Sequence, residues 1–376
     1  MKNFLFVSSM ISALLACGDL EETTLKSTDT PVAVPNESYA ESRMRLNQIL
    51  EASPDSLQAL LASASLALEH YDYALAYSAS ARAFRLDSSS NSARMMYALS
   101  IINQGNRTVS DISRAQSYLQ IVVQNEDQNA KAMVGLANTY ALQQNFDEAR
   151  IWIDKALGQS PKFFDAHVLK GSMYKVLSAA LNGEDGSQSL SRAYMDSAIN
   201  TYSRVSQYYP DKPEIYIELG ILFQQLNNER CVDHFYSAAQ LKPKNVDYKY
   251  ALAYAYGLFG KERLAMKVYA EMQELDSLYS EAYCQMGQIY QKKYGELDSA
   301  LNMYREVVSI DPNHIDAYVN MGVIYAEKKA YTRALKSYSK ALSILPEDRG
   351  PFMPLSTFIE NQNLAREYAD EIKDKL

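Results

Sequence analysis

Cysteine, histidine and tryptophan are scarce in this chain of 376 residues, which has three, four and one of them. Three cysteines, Cys17, Cys231 and Cys284, cannot staple a disulfide framework. Cys231 and His234 stand three apart, but zinc asks for more ligands and no second Cys/His pair lies near in sequence. No metal or cofactor is therefore expected. The 14 glycines form no phosphate-cradling loop. No nucleophile with a base stands in a specialised turn, so catalysis has no candidate residue. Basic residues number 37 against 45 acidic ones, a net charge of −8, without a basic block. That balance argues against nucleic acid and against electrostatic docking on anionic lipid. The apolar run Phe4–Ala16 is too short to span a membrane as a mature helix, and no other run is long enough.

What the chain has is repetition. A small residue recurs at Ala64, Ala98, Ala137, Gly171, Gly220, Ala253, Gly287 and Gly322, at intervals of 34, 39, 34, 49, 33, 34 and 35 residues. A period near 34 is that of a stacked helix–turn–helix unit. Three residues on stands an aromatic in most copies, among them Tyr140, Tyr174, Phe223, Tyr256, Tyr290 and Tyr325. The last unit continues with Tyr331, Ala334, Tyr338, Ala341 and Pro346. Ala334, Tyr338 and Ala341 share one face of a second helix. The small residues are expected where two helix backbones approach closely, and Pro346 closes the unit.

This pattern resembles the tetratricopeptide repeat, with eight copies over residues 57–346. The resemblance implies an all-α fold, a right-handed α-solenoid of about eight helix–turn–helix repeats with terminal capping helices. Tyr39, Ser42, Leu46, Ile49 and Pro54 fit a second helix alone, so residues 39–56 read as an N-terminal half-repeat cap. Residues 347–376 read as a C-terminal cap, with a helix from Asn361 to Leu376. The long interval places about 15 extra residues in the fourth unit, read as a lengthened helix pair with an acidic loop around Asn182–Ser187. The interval of 39 places about five extra residues near Gln104–Arg107. Cys231 occupies a packing slot and is expected buried, with His234 at the surface.

The chain opens Met1-Lys2-Asn3, and its apolar run ends Leu14-Leu15-Ala16-Cys17. Residues 1–16 read as a signal peptide, and the ending resembles the lipobox of bacterial lipoproteins, which implies a lipidated Cys17. Gly18 after the Cys favours the outer membrane, and Asp19, Glu21 and Glu22 are similar to the export tag of surface lipoproteins in the Bacteroidetes group. Residues 17–38 thus read as the lipidated cysteine and a flexible acidic linker.

In the family the first helices line a concave groove. Its expected lining is Asn138 beside Val134 in the third unit, and Ile217, Ile221 and Gln224 in the fifth. Further on come Tyr250 and Tyr254, then Gln288 and Lys292, then Val319 and Val323. This face reads as apolar and amide, with little charge. Tyr250 and Tyr254 either stack on a partner or pack between repeats. The resemblance implies a non-enzymatic scaffold held on a membrane by its lipid, binding a protein or peptide segment and supporting an envelope complex. A surface accessory for glycan binding or uptake is the alternative.

Overall fold

A computed structural model describes residues 38–181, 187–348 and 355–373. The signal segment, Cys17, the linker up to residue 37, the tip 182–186 and residues 349–354 lie outside the described residues.

The described residues form α-helices and no strand. A lone helix α1 (Tyr39–Ala52) comes first. The hairpins that follow are α2 (Leu57–Glu69) with α3 (Tyr73–Leu86), and α4 (Asn91–Ile102) with α5 (Val109–Asn125). Then come α6 (Ala130–Leu142) with α7 (Phe146–Gln159), and α8 (Phe164–Leu181) with α9 (Gln188–Tyr208). The later hairpins are α10 (Pro213–Gln225) with α11 (Arg230–Leu241), and α12 (Val246–Leu258) with α13 (Glu262–Leu275). The last two are α14 (Ser280–Ile289) with α15 (Leu297–Ile310), and α16 (Ile315–Glu327) with α17 (Tyr331–Ser343). Helix α18 (Leu355–Lys373) ends the series. The chain is an α-solenoid of tetratricopeptide-type hairpins. The final helix begins six residues before the expected Asn361. Phe358, fully buried with Ala365 and Ala369 against Tyr338 and Ala341, extends it.

Local chemistry starts and stops these helices. The side chains of Ser56, Ser90, Asn129 and Asn245 accept from backbone N–H groups three residues on, and Ser38 and Thr108 complete capping boxes with Glu41 and Asp111. Six first helices are followed by a left-handed residue: Tyr71, Gln144, Asn227, Gly260, Gly295 and Lys329 have φ between 50° and 72°. The next N–H then reaches back to a carbonyl in the last turn, as from Asn145 to Tyr140, Lys261 to Tyr256 and Ala330 to Tyr325. The recurrent aromatic thus carries the carbonyl that closes its own hairpin turn.

The extra residues are absorbed in different ways. Helices α8 and α9, of 18 and 21 residues, are the lengthened pair. The five near Arg107 are shared between the turn before α5 and the 17 residues of α5 itself. The seventh unit takes its one additional residue as a π-helical turn, Tyr290–Tyr294, after α14. Its closing bond, from Glu296 N–H to the Tyr290 carbonyl, spans one residue more than its counterparts.

The chain divides into two compact units, residues 1–215 and 216–376. In the first, a continuous apolar cluster runs from Ala64 on α2 to Val176 on α8. In the second, the core falls into successive clusters: around Tyr269 (α12–α14), around Tyr304 (α14–α16), and around Tyr338 (α16–α18).

The small residues face rings, where backbone-to-backbone approach was expected. A Cβ added to Gly171, Gly220, Gly287 or Gly322 would lie within 3.0 Å of a ring carbon of Tyr202, Phe235, Tyr304 or Tyr338 respectively. Where the first helix carries Ala64, Ala98 or Ala137, the equivalent second-helix position holds the smaller Ser80, Leu119 or Ile153, each fully buried. Ala253 with Tyr269 is the pair that departs from this exchange of volume.

Candidate binding surface on the first helices

Two first-helix positions carry most of the expected groove, the residue three before each small residue and the one just after it, and Gln224 and Lys292 lie further along their helices. In the third and fourth repeats both are filled, whereas in the first two Leu61, Ser65 and Met95 stay half-buried. Val134 is buried and Asn138 is 0 % exposed, as are Val168 and Ser172 at the same places on α8. Asn138 therefore offers no surface to a partner. Its amide makes no hydrogen bond, and one oxygen of the buried Asp165 carboxylate is likewise unpaired. Burial lifts the Asp165 carboxyl to about 7, against the pull of Lys131 and Lys212.

In the second unit the position just after the small residue is open in every repeat, while three before it Ile217 and Tyr250 are half-buried and Cys284 and Val319 are buried. Ile217, Ile221 and Gln224 on α10 are half-buried and follow one another at helical spacing. On α12, Tyr250 is half-buried, with ring centroids 6.1 Å from Tyr269, 5.5 Å from Tyr279 and 6.2 Å from Tyr254. Tyr254 is 37 % exposed. The two tyrosines thus divide the roles left open by their spacing: Tyr250 packs against the sixth and seventh repeats, while Tyr254 keeps part of its side chain accessible. Burial pushes the Tyr250 phenol well above its ordinary range. Gln288 on α14 is half-buried and Lys292, in the π turn, is exposed. Val319 on α16 is buried at 6 % exposure and so is part of the core, whereas Val323 stays half-buried.

The face is less neutral than its pattern suggests. Asp247, Glu281 and Asp316 each stand second in α12, α14 and α16, six residues before Ala253, Gly287 and Gly322. The Tyr279 hydroxyl donates to Asp247 at 3.2 Å, the Ser280 hydroxyl to Glu281 at 2.9 Å, and the Asn361 amide of α18 to Asp316. Burial raises the Asp316 carboxyl above its usual range; His314 opposes the shift and the Glu281 charge adds to it. The recurrence of an acid at that offset was legible in the sequence. It is hidden because a first-turn acid also serves any helix through its dipole.

His234 is a second departure from expectation. It is half-buried, stacked on Phe223 at 5.2 Å and 9° between planes, and its ring also faces Tyr216. Burial depresses its basicity. Cys231 fills the small slot of its repeat, with no surface exposed, and burial lifts its thiol to about 11. Cys284 is also buried, both are free thiols, and the Cys284 thiol is lifted to about 12.

Family models described as tetratricopeptide repeat match residues 107–162, 280–314 and 315–348. The chain is built of such repeats, which make protein–protein interaction scaffolds and are typically non-enzymatic. No curated protein sequence matches it. Among solved structures, a tetratricopeptide repeat protein from Parabacteroides merdae is 18 % identical, with 68 % of this chain and 93 % of that one covered and a TM-score of 0.45. MamA is 25 % identical over 42 % of this chain and 93 % of its own, with a TM-score of 0.38. The human IFIT1 dimer with m7Gppp-AAAA is 16 % identical over 89 % and 68 %, with a TM-score of 0.44.

Proposed function

We propose that the chain is a lipid-anchored scaffold of a bacterial outer membrane, attached through Cys17, which holds a polypeptide segment on the first-helix face of its second unit and so supports an envelope complex. The observation that carries the binding half is the contrast between units. Directly after the small residue Leu99, Asn138 and Ser172 are buried in the first unit, while Ile221, Tyr254 and Val323 in the second keep apolar surface accessible to a partner. The anchoring half rests on Leu14-Leu15-Ala16-Cys17. Among the described residues no helix is long and apolar enough to cross a membrane. Acyl chains contribute about 0.8 kcal/mol per buried methylene, so multiple chains suffice as an anchor.

Cys17→Ser should release the protein from the membrane fraction; association that survives a salt wash would exclude lipidation. Partner capture from detergent-solubilised envelope, with protein and glycan baits compared, tests the rest. Tyr254→Ala combined with Ile221→Ala should cut partner recovery and leave the thermal melt in place, since loss of an interface anchor costs about 2 kcal/mol or more. Tyr250→Ala should instead lower the melt, because its ring packs against Tyr269 and Tyr279. Unchanged recovery with Tyr254→Ala and Ile221→Ala would remove this face as the site.

A further inference from the structure

The open face of the second unit combines apolar surface with a row of carboxylates that, among the described residues, form no ion pair with a lysine or arginine. Asp247, Glu281 and Asp316 occupy the same place on three consecutive first helices. Their hydrogen-bond donors, Tyr279, Ser280 and Asn361, are all neutral. Two of the nearby lysines are engaged with the second helix α13, and Lys292 is exposed to solvent. Lys249 pairs with Glu271 at 2.7 Å, and Lys293 with Glu262 at 2.9 Å.

Like charges on neighbouring helices raise each other's energy, most where burial thins the solvent between them. Asp316 shows this, its charged form disfavoured by burial and by Glu281. His314 offsets the effect in part, and Lys292 opposes Asp316 and Glu281 in their action on the neighbouring Cys284 thiol. Among the described residues no three acidic, histidine or cysteine side chains are arranged to hold a metal ion, so a bare cation is not what the row is shaped for. Beside the acids lies the partly exposed Tyr254 ring, backed by Tyr250 at 6.2 Å, and an aromatic ring attracts a cationic head while its body takes aliphatic carbons. A lysine or arginine side chain satisfies both demands at once, with its stem on the rings and its head at the carboxylates.

We propose that the segment held by this face is basic as well as apolar, with Lys or Arg side chains directed at Asp247, Glu281 and Asp316 and aliphatic side chains on Tyr254, Ile221 and Val323. The inference rests on the binding reading above and adds the chemical class of the partner.

Random peptides displayed on phage and selected on the full-length chain give a test that needs no prior ligand. The selected pool should be enriched in Lys and Arg, and its binding should weaken as salt rises. For a synthetic peptide of the selected sequence, Glu281→Gln should raise Kd about tenfold, the scale of one hydrogen bond to a charged group. Asp247→Lys with Glu281→Lys should turn the selection toward acidic peptides. A thermal melt of each variant separates these effects from unfolding. A neutral or acidic pool, or a Kd indifferent to Glu281→Gln, overturns the charge assignment while the face stands, provided Tyr254→Ala still weakens binding. Selected peptides indifferent to Tyr254→Ala and Ile221→Ala, or no peptide recovered at all, overturn both.

Discussion

At the scale of single residues, the repeat is a conserved volume shared between two helices. Gly322 is small because the Tyr338 ring occupies the place of its missing Cβ, and the first unit solves the same problem with Ala98 opposite Leu119. This exchange predicts a rescue. Gly322→Ala should lower the unfolding free energy by about 1–3 kcal/mol, the range for overpacking. Adding Tyr338→Leu should recover part of that loss by reproducing the pairing of the second repeat. Gly158→Ala, on an exposed face of α7 with nothing within 4 Å of the added carbon, should instead raise stability by about 0.5–1 kcal/mol. Urea unfolding followed by circular dichroism checks all three, and a double variant weaker than Gly322→Ala alone would contradict the shared-volume account. The spacing marked every small position, yet Phe235 as the ring over Gly220 was not singled out. In that unit the flanking residues are Cys231 and Ala238, and the pattern weakens there.

At the scale of elements, six of the hairpins depend on a left-handed turn closed on a carbonyl near the end of the first helix. Only Gly260 and Gly295 meet that demand without a Cβ; Tyr71, Gln144, Asn227 and Lys329 adopt it at a steric cost. Lys329→Gly should therefore stabilise the eighth hairpin by about 0.5–1 kcal/mol, since the native φ of 57° suits glycine. Slower amide exchange at Ala330, whose N–H donates to Tyr325, is the measurement; faster exchange would mean that the entropy of the unfolded chain dominates. The π turn after α14 is the other lesson at this scale. An interval of 35 residues shows that one residue is extra, but loop and helix could each take it. Packing decides, because the turn lets Gln291 accept from the buried Tyr304 hydroxyl at 3.0 Å.

At the scale of the whole molecule, the two units differ in how their cores connect. The continuous cluster from Ala64 to Val176 should make the first unit lose structure together, while the successive clusters of the second should fail one at a time. Leu136→Ala, at a fully buried position of the first cluster, should cost about 2–5 kcal/mol and raise hydrogen exchange from α2 through α8. Damage from Gly322→Leu should stay within α14–α18. Exchange raised only within α6 and α7 by the first substitution, or along the whole second unit by the other, would contradict this division.

The period, the hairpin partition and the buried face of each second helix follow from the sequence alone, because a 3.6-residue turn and a helix contact impose a local spacing that can be counted. Which inner positions remain available is decided only by the tertiary structure. Asn138, Ile221, Tyr254 and Val323 each follow directly after the small residue of their repeat, and nothing in the period tells them apart. Yet Asn138 is 0 % exposed and Tyr254 37 %. Exposure there depends on how closely the neighbouring first helices approach, and that distance is set by side chains one or more repeats away.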